Sequence, residues 1–201
     1  YLCRLLFSIS SAMALDIIIV GGGIVGLATA HRLLEANPAL KIALFEKEKM
    51  VSMHQTGNNS GVIHSGLYYK PGSLKAKNCI EGYHQLIDYC TAEQIPFELT
   101  GKIVVASTQD QRVQLENLYQ RGQQNGLEGL KKLSLEEMRE HEPHVIGVEG
   151  MWVPQTGIVD YRAVAAKLAQ GIQAKGCEVH LGEKVTDITK GLSYSIVETD
   201  Q

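Results

Sequence analysis

The sequence predicts an α/β fold: a doubly wound, Rossmann-like nucleotide-binding domain interrupted by a smaller β-rich segment and truncated at the C-terminus. Three observations carry this. Asp16-Ile-Ile-Ile-Val20 is apolar and β-branched after its first residue, the pattern of a strand buried on both faces. Gly21-Gly-Gly-Ile-Val-Gly26 follows at once, and Leu27 to Ala36 then reads as a helix stopped by Asn37-Pro38. Lys41-Ile-Ala-Leu-Phe-Glu46 reads as a second buried strand that closes on an acid.

The later elements follow from their punctuation. Residues 47–72 read as a loop, rich in glycine and asparagine with little periodicity. Ser73 is the expected N-cap of a helix whose apolar face is Ala76, Cys79, Ile80, Tyr83, Leu86, Ile87 and Cys90. Residues 97–108 read as one strand and 109–125 as an exposed helix ended by Asn125-Gly126. Ser134-Leu-Glu-Glu137 is a capping-box pattern that opens a short helix before Pro143. Gly150–Val153 is a strand, and Asp160 is the expected cap of a helix running to Lys175-Gly176. Cys177–Leu181 and Ser193–Glu198 are the last strands, the final one with no partner to follow, so the chain reads as cut short. Tyr1–Ala12 reads as upstream remnant or transit-like leader, with Met13 as the natural start.

Composition excludes several classes. In 201 residues, 44% hydrophobic and 20% charged is globular, not disordered, collagen-like or coiled coil. A net charge of −3 gives no basic field for nucleic acid. The four cysteines form no C-x-x-C pair and the histidines show no ligand spacing, so no metal site is expected and the thiols read as free. The apolar run Ile17 to Ala30 is broken by glycines and falls short of the ~20 residues of a membrane span.

Gly21-x-Gly23-x-x-Gly26 lies where a dinucleotide site needs it, between a strand and a helix, with Glu46 20 positions after Gly26. Gly21 permits the tight turn, Gly23 lets backbone N–H groups approach a diphosphate, and Gly26 lets the helix pack closely on the strand. The helix N-terminus favours negative charge. Glu46 would accept hydrogen bonds from an adenosine ribose. NAD and FAD both remain open on these residues alone.

The next segment resembles the FAD-dependent D-amino-acid-oxidase-like superfamily, and within it the L-2-hydroxyglutarate dehydrogenase/oxidase group. The residues that carry the likeness are the glycine fingerprint, His54-Gln-Thr-Gly57 running into Ser60-Gly-Val-Ile-His-Ser-Gly66, and Tyr68-Tyr69-Lys-Pro-Gly-Ser-Leu-Lys-Ala76. Gly101-Lys102 and Thr156-Gly-Ile-Val-Asp-Tyr-Arg162 extend it, so that it covers about residues 15–190. Asn58 departs from the family, whose members carry histidine there.

The resemblance implies FAD as cofactor, with Gly21, Gly23, Ile24, Gly26, Glu46, Lys47, Ser60, Gly61, His64 and Val185 as its binding residues. Ser60, Gly61 and His64 would lie near the flavin ring and its ribityl-phosphate arm, and the backbone of Val185 would meet the adenine. His64 is the catalytic candidate, as hydrogen-bond donor, base or covalent flavin link; His54 would buttress the loop. Arg162 reads as a capping or carboxylate-attracting residue. The implied domains are a leader over 1–13, a flavin domain over 14–95 and 156–201, and a substrate-domain segment over 96–155. The implied reaction is oxidation of L-2-hydroxyglutarate to 2-oxoglutarate by hydride transfer to flavin, with quinone or oxygen as electron acceptor. Peripheral membrane association of the full-length protein is also implied. The location is cytoplasmic or on a bacterial inner membrane, or mitochondrial if the leader is a transit peptide. The alternatives are another flavin oxidase acting on an amino acid or glycerol phosphate, a nicotinamide-dependent dehydrogenase, or a nucleotide-binding fragment without turnover. The fragment by itself is expected to be inactive.

Overall fold

The computed structural model describes residues 14–201; the leader expected over 1–13 lies outside them. In chain order the elements are β1 (Ile17–Val20), α1 (Ile24–Ala36), β2 (Ile42–Glu46), β3 (Val62–Ile63), α2 (Leu74–Ala92), β4 (Phe97–Glu98), β5 (Lys102–Ala106), α3 (Arg112–Gln124), β6 (Lys131–Leu133), α4 (Leu135–His141), β7 (Glu149–Val153), β8 (Gly157–Val159), α5 (Tyr161–Ala174), β9 (Glu178–Leu181), β10 (Val185–Lys190) and β11 (Ser195–Thr199). Two compact units divide them. One joins the chain up to Asn58 with Arg162–Gln201; the other is Asn59–Tyr161, which contains the whole 96–155 segment.

The first unit is built on a parallel sheet ordered β1-β2-β9. β2 is central, pairing Ile42 with Ile17 on one side and Glu46 with Leu181 on the other. Its residues Ile42, Ala43 and Leu44 are fully buried, which explains why the sequence there is continuously apolar. α1 starts at Ile24, three residues earlier than the pattern suggested, and buries Leu27, Ala30 and Leu34. α5 buries Val164, Ala165, Leu168, Ala169 and Ile172, a stripe at helical spacing.

The last strand needed correction. β11 does have a partner: it pairs antiparallel with β10, a strand the sequence pattern did not reveal, with a register shift between Val185 and Asp187. β10 reads Val-Thr-Asp-Ile-Thr-Lys and is largely exposed, so it lacks the apolar run that marks a buried strand.

The second unit contains two antiparallel three-stranded sheets, β3-β8-β4 and β5-β7-β6. The single strand expected over 97–108 is two strands in different sheets. Gly101, at φ +67, breaks it, and the Trp152 ring lies only 2.1 Å from where a Cβ would sit. The loop expected over 47–72 contains β3, whose Val62 and Ile63 pair with Ile158 and Gly157. The core of the unit is Leu67, Ala106, Leu115, Leu127, Leu130, Met151 and Val153. Two of the three expected caps, those of Ser73 and Ser134, form: Ser73 Oγ accepts from Ala76 N, and Ser134 with Glu137 completes a reciprocal capping box.

Candidate functional site

In the first unit the site starts where β1 ends. Gly21 turns at φ +109, with open space over its Cα and its N–H donated to Phe45 O at 2.8 Å. A Cβ on Gly26 would lie 2.1 Å from Gly21 O, so only glycine lets α1 approach the strand this closely. The first helical bond runs from Leu27 N to Gly23 O at 3.0 Å. Of the amides ahead of it, Ile24 N donates to Thr56 Oγ1 at 2.9 Å. Those of Val25 and Gly26 meet no acceptor among the described residues. Unpaired amides at a helix N-terminus attract anions.

Glu46 ends β2 beside this turn and is buried, 8% exposed. Its Oε2 accepts from Gly22 N at 2.6 Å and its Oε1 from Glu48 N at 2.9 Å. Two backbone donors fix the carboxylate while leaving lone pairs for a further donor. The strand ends beyond it are tied together, with Glu183 N donating to Glu46 O at 3.0 Å and Gly182 N to Glu48 O at 2.8 Å. A cleft of about 400 Å³ opens here, lined by Val20, Gly21, Phe45, Glu46, Lys47, His54, Lys184 and Val185. It lies outside the carboxyl ends of the parallel strands, where open α/β sheets bind ligands. Four of the expected nucleotide residues, Gly21, Glu46, Lys47 and Val185, thus meet in one cleft.

A loop covers the glycine turn. Ser52, at φ +61, donates its N–H to Gly22 O at 3.0 Å. His54 Nε2 is 2.9 Å from Glu48 Oε1. Arg162 reaches back from α5: its Nε donates to Gly57 O at 2.9 Å and its Nη2 to Asn58 Oδ1 at 3.2 Å. Asn58 Nδ2 donates to the carbonyls of Met53 and His54, so the residue that departs from the family pattern closes its own turn. Thr56 and Ser52, both buried, escaped the sequence reading. The signal for Thr56 was only its place in the quoted His54–Gly57 stretch.

In the second unit Ser60 and Gly61 border a cleft of about 530 Å³ with Pro96, Phe97, Glu98, Ile158, Val159 and Asp160. Gly61 sits at φ +70, donates to Asn59 Oδ1 at 2.7 Å and accepts from Val159 N at 2.9 Å. His64, one residue past β3, is exposed and is not among the residues lining that cleft. Its carbonyl accepts from Cys79 Sγ at 3.5 Å. Burial pushes the Cys79 thiol up, and the nearby Lys102 charge pulls it partly back. Among the described residues no group of His, Cys, Asp and Glu could hold a metal ion.

A parallel sheet, a glycine turn into a helix N-terminus, and a buried acid at the next strand end define a dinucleotide-binding protein of the doubly wound class. Residues 16–200 match the family model described as FAD dependent oxidoreductase. The chain belongs to that family, whose cofactor is FAD. It is 56% identical over 189 residues to L-2-hydroxyglutarate dehydrogenase of Indibacter alkaliphilus, which covers 94% of this chain and 47% of the relative. It is 48% identical over 170 residues to the mitochondrial L-2-hydroxyglutarate dehydrogenase of Homo sapiens, covering 85% of this chain and 37% of that protein. The FAD-bound L-alpha-glycerophosphate oxidase of Mycoplasma pneumoniae superposes with a TM-score of 0.84 at 32% identity, over 92% of this chain and 50% of that one. The chain spans about half the length of the curated relatives it matches.

Proposed function

We propose that this chain is the FAD-binding part, with a segment of the substrate domain, of an enzyme that oxidises L-2-hydroxyglutarate to 2-oxoglutarate. The observation that supports it most is the 56% identity to a protein of that name, running through the whole described fold. The residues present suit the cofactor. The unpaired amides of Val25 and Gly26, with the glycine turn Gly21–Gly26, would hold the diphosphate, and the amide of Ile24 would join them on exchanging its Thr56 Oγ1 partner. Glu46 and Lys47 would take the ribose, and Val185 would meet the base. Ser60 and Gly61 would border the flavin ring, and His64 would accept the hydroxyl proton of the substrate. FAD, when bound, takes up the α-hydrogen with its bonding electron pair, as hydride.

In this reading residues 14–95 and 156–201 serve the flavin and 96–155 the substrate. The electron acceptor would be a quinone or oxygen, and the full-length protein would associate with a membrane peripherally; no helix among the described residues is long and apolar enough to cross one. Relatives include bacterial and mitochondrial proteins, and the location would be one of these.

A second reading, oxidation of glycerol 3-phosphate, draws on the likeness to the glycerophosphate oxidase. One assay separates them. The protein expressed from its complete gene should purify with flavin, and L-2-hydroxyglutarate should bleach the flavin absorbance under anaerobic conditions while glycerol 3-phosphate should not. The reverse preference would transfer the assignment. Glu46→Arg should cost the purified protein most of its FAD; undiminished FAD content would remove Glu46 from the site.

A further inference from the structure

In the second unit two cations converge on one tyrosine, and neither meets an acid. Lys102 Nζ stands 4.5 Å from the centroid of the Tyr68 ring. Arg121 Nη1 donates to the Tyr68 carbonyl at 3.0 Å. Among the described residues neither forms an ion pair, whereas Arg112 pairs with Glu149 and Lys132 with Glu116 in the same unit. Tyr68 itself is exposed to solvent, at 51%.

Two features fix this cluster in place. Lys102 is the first residue of β5, in register with Val153. It follows directly on Gly101, whose backbone is pressed under the Trp152 ring. Tyr68, over which the lysine stands, follows His64 by four residues, and the His64 carbonyl accepts from Cys79 Sγ. Lys102 is therefore set apart from His64 by the short run of chain between His64 and Tyr68.

A lysine over an exposed aromatic ring is held more weakly than one hydrogen-bonded to a charged group. An incoming carboxylate would draw the ammonium off the ring. We infer that Lys102, with Arg121 adding a second positive charge, is the subsite for the carboxylate of the substrate remote from the oxidised carbon. Separation from His64 by the residues that lead to Tyr68 suits the remote carboxylate rather than the one beside the reacting carbon. This rests on the reading of the substrate as a 2-hydroxy dicarboxylic acid.

The test compares L-2-hydroxyglutarate with L-2-hydroxypentanoate, in which a methyl replaces the remote carboxylate, using the protein expressed from its complete gene. Lys102→Met should raise KM for L-2-hydroxyglutarate roughly 10- to 100-fold. The kcat and FAD content should stay near wild type, and KM for L-2-hydroxypentanoate should not change. Lys102→Arg should restore most of the affinity. An unchanged KM for L-2-hydroxyglutarate, or equal rises for both substrates, would overturn the assignment. Should Lys102→Met fail to fold, Lys102→Gln faces the same two outcomes. If the wild-type protein does not oxidise L-2-hydroxyglutarate, it is the substrate reading that fails. Glutarate titrated into the protein expressed from its complete gene then decides the subsite alone: binding lost on Lys102→Met supports it, and no binding, or binding indifferent to Lys102, refutes it.

Discussion

The turn after β1 and the loop after β3 are held by opposite means. The first is fixed by backbone: Gly21 N–H on Phe45 O, Gly26 pressed on Gly21 O, and Glu46 taking Gly22 N–H. The second, Ser65–Tyr69, is fixed by side chains at or near the end of α3. Asn125 Nδ2 donates to Gly66 O at 3.1 Å and Tyr69 O at 3.0 Å, and Arg121 holds Tyr68 O. A backbone-held turn admits almost no substitution at its contacts. A side-chain-held loop can keep its shape through different sequences provided its distant holders stay.

The sharpest break in this contrast is Gly26→Ala, which drives a methyl into a carbonyl oxygen. It should destabilise the first unit by about 3 kcal/mol, read as a lower urea midpoint. A loss below roughly 1 kcal/mol would mean that the turn yields as easily as the loop. Asn125→Ala comes next, removing at a buried position the donor to Tyr69 O and leaving Gly66 O with the Tyr69 N–H alone. It should cost about 2 kcal/mol and speed amide exchange at Leu67–Tyr69 while leaving the amides of β1 and β2 as they were. Spread of the faster exchange into β1 would contradict the division into separately held loops.

The smallest effect concerns pH and touches both units. Burial raises the thiols of Cys79, Cys90 and Cys177 above their ordinary 9.0. The folded chain therefore keeps protons that the unfolded chain loses, and stability should decline as pH rises through about 9. Below that the thiols contribute no slope. Urea midpoints at pH 8 and pH 10 check this, with a shallower decline expected when all three cysteines are replaced by alanine. An equal decline in that variant would assign the slope to other groups.

The same contrast explains what could be read from the sequence. β1, α1 and β2 and their glycine turn were legible because every requirement falls within Asp16–Glu46: apolar runs for strands buried on both faces, glycines where a Cβ would clash, an acid at the strand end. The short strands of the second unit were not. Val62 pairs with Ile158 and Phe97 with Val159, and pieces of two or three residues carry no period. Gly101 was visible as a residue but not as the corner it makes, because Trp152 is brought over it only by the pairing of β5 with β7. Lys102 stands out in the sequence only as part of the family-like Gly101-Lys102 pair, since nothing local ties it to Tyr68. Thr56 is similar: a hydroxyl whose partner is an amide 32 positions earlier.

The chain leaves the first unit at Asn58 and returns to it at Arg162, and those two residues are bonded to each other, with Gly57 O as a second tie. Inside the second unit Gly61 and Val159 are joined in the same way. The intervening stretch of roughly a hundred residues is thus, to the nucleotide fold, a closed loop with pinned ends. The entropy of closing such a loop grows only logarithmically, about 0.6 kcal/mol for each doubling of length. Insertions or deletions between Gly61 and Val159 therefore weigh little on the sheet that carries Glu46. Natural variation can reshape the second unit while the first stays constant.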